Sequence, residues 1–273
     1  MLLDVSQIEH NPAAVGPAVA RPAWEDVPLD FARPFLPEAL AATGGFWFLD
    51  RETRRVLNQI RAHGYLYTIG LVIEDIVPLT LGQMADVPGW DDARRRGMHR
   101  AAAAERRRVR LPARLRGYLE VGIGTRCDLV GPASDLAASV LAHRPMAAAL
   151  IVQQLLWVAQ RHDAETIHGE PTIDPAFKRL LRRHWTGAAW HLRLVNEMVG
   201  MLAATMDNDR IADAGAEYAA IGSYLEAGLQ QQVRHDTAAL MRATGRALSC
   251  AERDRIEAEQ LRALRWTYLR SLA

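Results

Sequence analysis

Two histidines, His184 and His191, stand seven residues apart in HWTGAAWH, inside a stretch that otherwise reads as one long helix. Seven residues make two helical turns, so both imidazoles share a face, with Ala188 between them one turn before His191. Such a pair belongs to a metal site, to a site that has lost its central carboxylate, or to two unrelated core histidines. Other polar groups also interrupt apolar helix faces. Glu74 and Asp75 follow the uncharged run Ile69 to Ile73, and Glu105 follows an alanine run. Gln153 and Gln154 lie in an apolar stretch that ends in Arg161 and His162, and Glu197 follows the histidine pair. A buried charge needs a partner or a metal. Carboxylates on two helices with histidines on a third are the raw material of a bundle metal centre. The di-iron version takes a Glu from each of two helices and an ExxH from each of the other two. Here both ExxH units are half complete: Glu105 is followed by Arg108, and His191 is preceded by Ala188.

The elements that must position these groups all read as helices. Residues 1–45 are proline-rich and predict an extended arm with short helical turns. Residues 49–81 carry apolar side chains at three- and four-residue spacing, with Pro78 as one of the stops. A second helix covers 91–109, opened by Asp91 and Asp92 and ended at Leu111-Pro112. Residues 117–133 are rich in Gly and Pro and predict a connection with a short helix at most. A third helix spans about 134–163, started or kinked by Pro145. The fourth runs from Ala176 to about Met206, with Asp174 as N-cap and Pro175 in its first turn. A fifth covers about 209–246. Ser249 with Glu252 forms a capping box that opens a sixth, ending near Leu269. Nothing alternates at period two. The fold class expected is all-α, one helical-bundle domain over 46–273 behind the arm at 1–45.

Bulk properties exclude several classes. The chain has 273 residues, enough for one large core, with 49% apolar and 24% charged residues. A net charge of +1 gives no global field toward nucleic acid. The Arg clusters at 94–96 and 106–108 lack aromatic or glycine neighbours and read as solvated helix faces. Cys127 and Cys250 lie far apart with no CxxC, which suggests neither a disulfide framework nor a zinc site. There is no basic-then-apolar leader and no unbroken apolar run of about 18 residues, so a cytoplasmic protein without a membrane partner is expected. The amphipathic last helix either covers the bundle or joins a second copy in a twofold homodimer.

Several segments, in order, resemble the ferritin-like di-iron oxygenases related to p-aminobenzoate N-oxygenase. They are RAHGYLYTIGLVIEDIVPL (61–79), the helix with Glu105, WVAQRHDAETI (157–167), DPAFKRLLRRHWTGAAWHLRLV (174–195) and the tail at 232–271. The resemblance covers roughly residues 50–271. It implies a ferritin-like bundle with additional C-terminal helices and a ligand set of which Glu74, Glu105, His184 and His191 remain. Ala188 falls where the bridging Glu belongs, and Arg108 falls on a histidine position. The third helix has no carboxylate between Ala147 and Arg161. A guanidinium cannot ligate and stays protonated, so Arg108 would instead neutralise Glu74 or Glu105.

The expected function is therefore a metal-independent small-molecule enzyme, of the kind that tailors natural products, with no cofactor. His191 or His184 would act as acid or base, tuned by Glu105, in an isomerisation, cyclisation, elimination or condensation. Arg108 would hold a substrate carboxylate or enolate, with Glu74 in the same cavity. Tyr65, Tyr67, Gln154, Trp157 and Trp190 would form the walls. Two alternatives stay open. Glu105, His184 and His191 could hold a single iron or manganese in a two-histidine, one-carboxylate set. The protein could also be a non-catalytic binding or partner subunit. His162 reads as structural, bonded to Asp236 or Glu165, and the tryptophans read equally well as packing.

Overall fold

The computed structural model describes residues 28–87, 90–106 and 111–269, without the side chains at 94, 104–106, 111–114, 163, 183–188 and 190. Among these residues there is no strand, and the helices build an all-α bundle.

The central rod is the longest apolar segment. Asp50 accepts the Thr53 N–H at 2.7 Å and opens α2 (Arg51–Gly70). The rod continues through a π-helical stretch (Leu71–Ile76) into α3 (Val77–Ala85). Pro78 does not stop it. The Val77 N–H reaches back five residues to the Val72 carbonyl, so the missing Pro78 donor falls where the hydrogen-bond spacing is already changing. By length and composition Arg51–Ala85 could cross a membrane, but 78% of its apolar window is buried inside the protein. Here it is the core helix of the bundle.

Two helix boundaries differ in detail from expectation. The connection expected over 117–133 narrows to 124–132, because α5 (Leu111–Ile123) runs through 117–123. Its glycines serve packing. A Cβ on Gly122 would come within 1.9 Å of the Phe31 ring, so only glycine lets Phe31 lie on this helix. The third predicted helix is two, α6 (Ala133–Leu141) and α7 (Pro145–His162), because Pro145 starts a new helix. A second π-helical stretch, Asp163–Ile167, prolongs α7.

The other helices follow from their caps. Asp174 accepts the Phe177 N–H at 2.6 Å and opens α8 (Pro175–Ala203). Asp207 opens α9 (Asn208–Thr244), and Gly245, at φ +65°, ends it in the left-handed conformation glycine tolerates. The capping box is present: Ser249 N–H donates to Glu252 at 2.8 Å, and Glu252 N–H to Ser249 Oγ at 3.2 Å, before α10 (Cys250–Leu269). A short α1 (Glu38–Ala41) and α4 (Asp92–Arg106) complete the set.

The rod packs on α5 and α9, while α7 packs on α8 and α9. Residues 28–45 are clamped into this core. Phe35 stacks on Phe177 at 5.0 Å, and Asn58 accepts the N–H groups of Phe35 and Leu36 at 2.8 and 3.0 Å. Helix α10 covers the bundle through Ile256, Leu264 and Tyr268, and Gln260 donates to the Ala41 and Ala42 carbonyls.

Candidate active site: a tyrosine-walled pocket beside a charged helix interface

Helix α2 presents His63 and Tyr67 one turn apart toward α5 and the connection that follows it, 124–132. The π-helical stretch then shifts the helical register, so that Glu74 and Asp75 act on the same neighbour, Arg116 of α5. The Arg116 guanidinium lies 5.3 Å from the centre of the Tyr67 ring. Burial pulls its pKa below the ordinary guanidinium value, and the charges of Glu74, Tyr67, Glu120 and Asp75 oppose that pull. The Tyr67 hydroxyl donates to the Val130 carbonyl at 2.8 Å. Burial raises its pKa, Arg116 lowers it, and Asp75 and Tyr224 raise it.

Behind Tyr67 opens a pocket of about 230 Å³ between the rod and α9. Leu71, Val72 and Ile76 from the π-helical stretch and Leu155 of α7 make it mostly apolar, and Tyr67, Tyr224 and Tyr268 add three phenols. Apolar walls with a few polar groups are the usual build of a small-molecule site. Tyr67 belongs both to this pocket and to the charged interface with Arg116.

A third group sits along the same interface. His63, Glu120 and Cys127 bring one donor atom each to within 4.8 Å of one another. His63 Nε2 is 3.7 Å from Glu120 Oε1, and that oxygen accepts the Cys127 N–H at 2.8 Å. Burial, followed by the Arg116 charge, lowers the His63 pKa to about 4. The ring is therefore neutral near pH 7, and its contact with Glu120 is not an ion pair. Burial, Asp236 and Glu120 push the Cys127 thiol up to about 12.

Other buried polar groups of the rod pair with one another. The Tyr65 hydroxyl meets His162 Nδ1 at 2.8 Å, and the His162 ring lies edge-on to Tyr268 at 5.9 Å. Burial, with Arg161 adding to it, lowers the His162 pKa to about 4. Arg61 and Asp236 form a buried ion pair at 2.7 Å, and Gln232 donates to Asp236 at 2.8 Å. Gln232 also accepts the Val130 N–H at 3.2 Å and so anchors the 124–132 connection.

The residues expected from sequence fall in different places. Glu74 and Tyr67 meet at Arg116. Tyr65 is buried against His162, which it serves in place of the expected Asp236 or Glu165. Gln154 is buried and bonded to Tyr218 and to the Tyr268 carbonyl. Trp157 is on the outer surface, 44% exposed, under the Arg161 guanidinium. His191 is buried on α8. Glu105, His184 and Trp190 lie on described helices, but their side chains are outside the described residues, as is all of Arg108. Sequence reasoning did not single out His63, Arg116, Glu120 or Cys127 as a group. A signal existed in the i, i+4 pairs His63/Tyr67 and Arg116/Glu120, but Arg116 fell between predicted elements and Glu120 inside the connection expected over 117–133.

Compared with known proteins, the chain matches no family model, no curated protein and no solved structure. The structure by itself gives an all-α bundle with a cavity and a small buried His/Glu/Cys cluster, coarse features consistent with a ferritin-like scaffold and a degenerate metal site.

Proposed function

We propose that the protein is a small-molecule enzyme that performs acid/base chemistry on an apolar compound bearing a carbonyl or carboxyl group. One observation carries this reading: Tyr67 is at once a wall of the apolar pocket and the neighbour of Arg116, Glu74 and Asp75. A bound compound would leave its apolar body against Leu71, Val72 and Leu155. Its oxygen would point past the Tyr67 ring toward the Arg116 guanidinium, whose charge favours a developing enolate. Glu74 or Asp75 is the base that would take the neighbouring proton. Isomerisation, cyclisation, elimination and condensation all use this step. The partner is then a small molecule, without nucleic acid or membrane, in a cytoplasmic and homodimeric setting.

The test needs no knowledge of the natural substrate. An aryl ketone such as 4-phenylbutan-2-one is incubated with the protein in deuterium oxide, and exchange beside the carbonyl is followed by NMR. Exchange faster than in buffer is expected, with loss in E74Q and in L71W, which fills the pocket. Exchange that survives L71W would place the chemistry elsewhere.

A second reading is a mononuclear iron or manganese oxygenase using Glu105, His184 and His191. It is favoured by the burial of His191 at 1% exposure on the helix that also carries His184. Metal analysis after anaerobic loading with ferrous iron separates the two readings. About one iron per chain, lost in H191A, would support the oxygenase and count against the metal-free enzyme.

A further inference from the structure

We propose that His63, Glu120 and Cys127 form a binding site for a zinc-type divalent cation, distinct from the expected Glu105, His184 and His191 set. Three different elements supply the donors: α2, α5 and the 124–132 connection. They converge to within 4.8 Å of one another without any hydrogen bond between the imidazole and the thiol to explain it. A tetrahedral ion with bonds of about 2.0–2.3 Å would hold such donors roughly 3.3–3.8 Å apart. The 3.7 Å between His63 Nε2 and Glu120 Oε1 falls in that range, and no pair of the three donors is more than 4.8 Å apart.

A second observation points to a ligand. His63 is only 2% exposed, yet its Nδ1 has no hydrogen-bond partner among the described residues. Burying an imidazole that makes no hydrogen bond is unfavourable, and a cation on Nε2, the nitrogen that faces Glu120 at 3.7 Å, would give the ring one strong interaction. Charge points the same way: Asp236, Glu120 and Asp128 act on the Cys127 sulfur, against the single positive charge of Arg242. Nitrogen, carboxylate oxygen and sulfur together suit zinc better than magnesium or calcium, which prefer all-oxygen shells. Three protein ligands leave a fourth position for water. On binding, the Cys127 proton leaves to solvent, the thiolate takes the cation, and no electron moves.

The consequence is structural. Cys127 stands three residues before Val130, whose carbonyl holds the Tyr67 hydroxyl and whose side chain lines the apolar pocket. A cation on Cys127 would pin the connection to α2 and α5 and fix that wall. The inference does not depend on the proposed acid/base chemistry, because the pocket residues and the ligand residues are separate sets.

The test uses the full chain, stripped with a chelator and titrated with cobalt(II) under a phosphine reductant. We expect one cobalt per chain with a sulfur-to-cobalt charge-transfer band in the near ultraviolet, displaced by zinc. C127A should abolish the band, and C250A should leave it unchanged. E120Q and H63L should weaken binding at least about tenfold, the low end of what even outer-shell changes cost. Absence of the band in the folded wild type at millimolar cobalt would overturn the site, as would its survival in C127A. Should C127A fail to melt cooperatively, E120Q decides, and an unchanged affinity there overturns the site.

Discussion

His63 and Tyr65 are two residues apart on the same helix, and the polar groups they enter have opposite character. On the Tyr65 side the buried groups are joined to one another: Tyr65 with His162, Arg61 with Asp236, Gln232 with Asp236, and of these only the Arg61 Nε is buried without a hydrogen-bond partner among the described residues. On the His63 side, donors converge and stay partly unused: His63 Nδ1 has no hydrogen-bond partner among the described residues, and Arg116 carries one positive charge among the charges of Glu74, Tyr67, Glu120 and Asp75. A closed network fixes an architecture. Convergent groups with unspent valence are what a ligand or a reaction needs. The difference marks the α5 face of the rod as the side whose polar groups stay available, and Tyr67 carries that face into the pocket between the rod and α9.

The comparison breaks most visibly at Asp236. Truncating D236A leaves the Arg61 guanidinium buried without its partner, which should cost about 3–5 kcal/mol. Urea denaturation of the variant checks this. A loss below about 1 kcal/mol, the scale of an exposed pair, would show that the network is not closed and that the two faces do not differ in kind.

The next effect is pH dependence. Folded His162 takes up its proton only near pH 4, against 6.5 when unperturbed. Between these values the unfolded chain binds more protons, so stability is whole above pH 6.5 and falls as the pH drops toward 4. The full contribution is roughly 3 kcal/mol. His63, shifted in the same direction by burial, adds to the loss in metal-free protein. Urea midpoints between pH 7 and pH 4 should fall steeply for the wild type and less steeply for H162Q.

These residues also show what the sequence could and could not reveal. Helix caps were legible because they are local: Asp174-Pro175 and Ser249/Glu252 act within a few residues of themselves. The all-α class was legible because periodicity was helical throughout. The site was less so. Glu74 could be picked out as a polar group on an apolar helix and Tyr67 as a cavity wall, but the guanidinium that joins them comes from α5, whose second half, 117–123, falls in a stretch whose glycines read as turns. Gly122 shows why that reading fails: its lack of a Cβ serves the Phe31 ring, a contact 91 positions away in the chain that no local pattern contains. Cys127 was dismissed as a ligand on spacing alone, whereas its neighbours His63 and Glu120 are supplied by tertiary packing.

G122A tests that packing directly. The added methyl would meet the Phe31 ring at 1.9 Å, so the ring or the helix must move. Overpacking of this kind costs about 1–3 kcal/mol. The gain in helix propensity over glycine, about 1 kcal/mol, offsets part of it. A net loss of up to about 2 kcal/mol is expected, read from urea unfolding. A net gain would mean that Phe31 does not rest on α5.

The smallest effect is the most discriminating, because its sign separates the two faces. Replacing His63 by leucine removes a buried nitrogen that has no partner and leaves a side chain of similar bulk. On a closed network such a change would leave a broken bond behind. Here the imidazole makes no hydrogen bond to lose, and its 3.7 Å approach to Glu120 is a contact between a neutral ring and a carboxylate. The expected change in chelator-treated protein is therefore about zero to 1 kcal/mol of stabilisation, since apolar replacement of an unsatisfied polar group is near neutral or favourable. H162L, on the opposite face, breaks the Tyr65 bond and should destabilise. A loss of more than about 2 kcal/mol in H63L, comparable to an unsatisfied buried partner, would mean that His63 holds the fold rather than waits for a ligand, and the contrast between the faces would disappear.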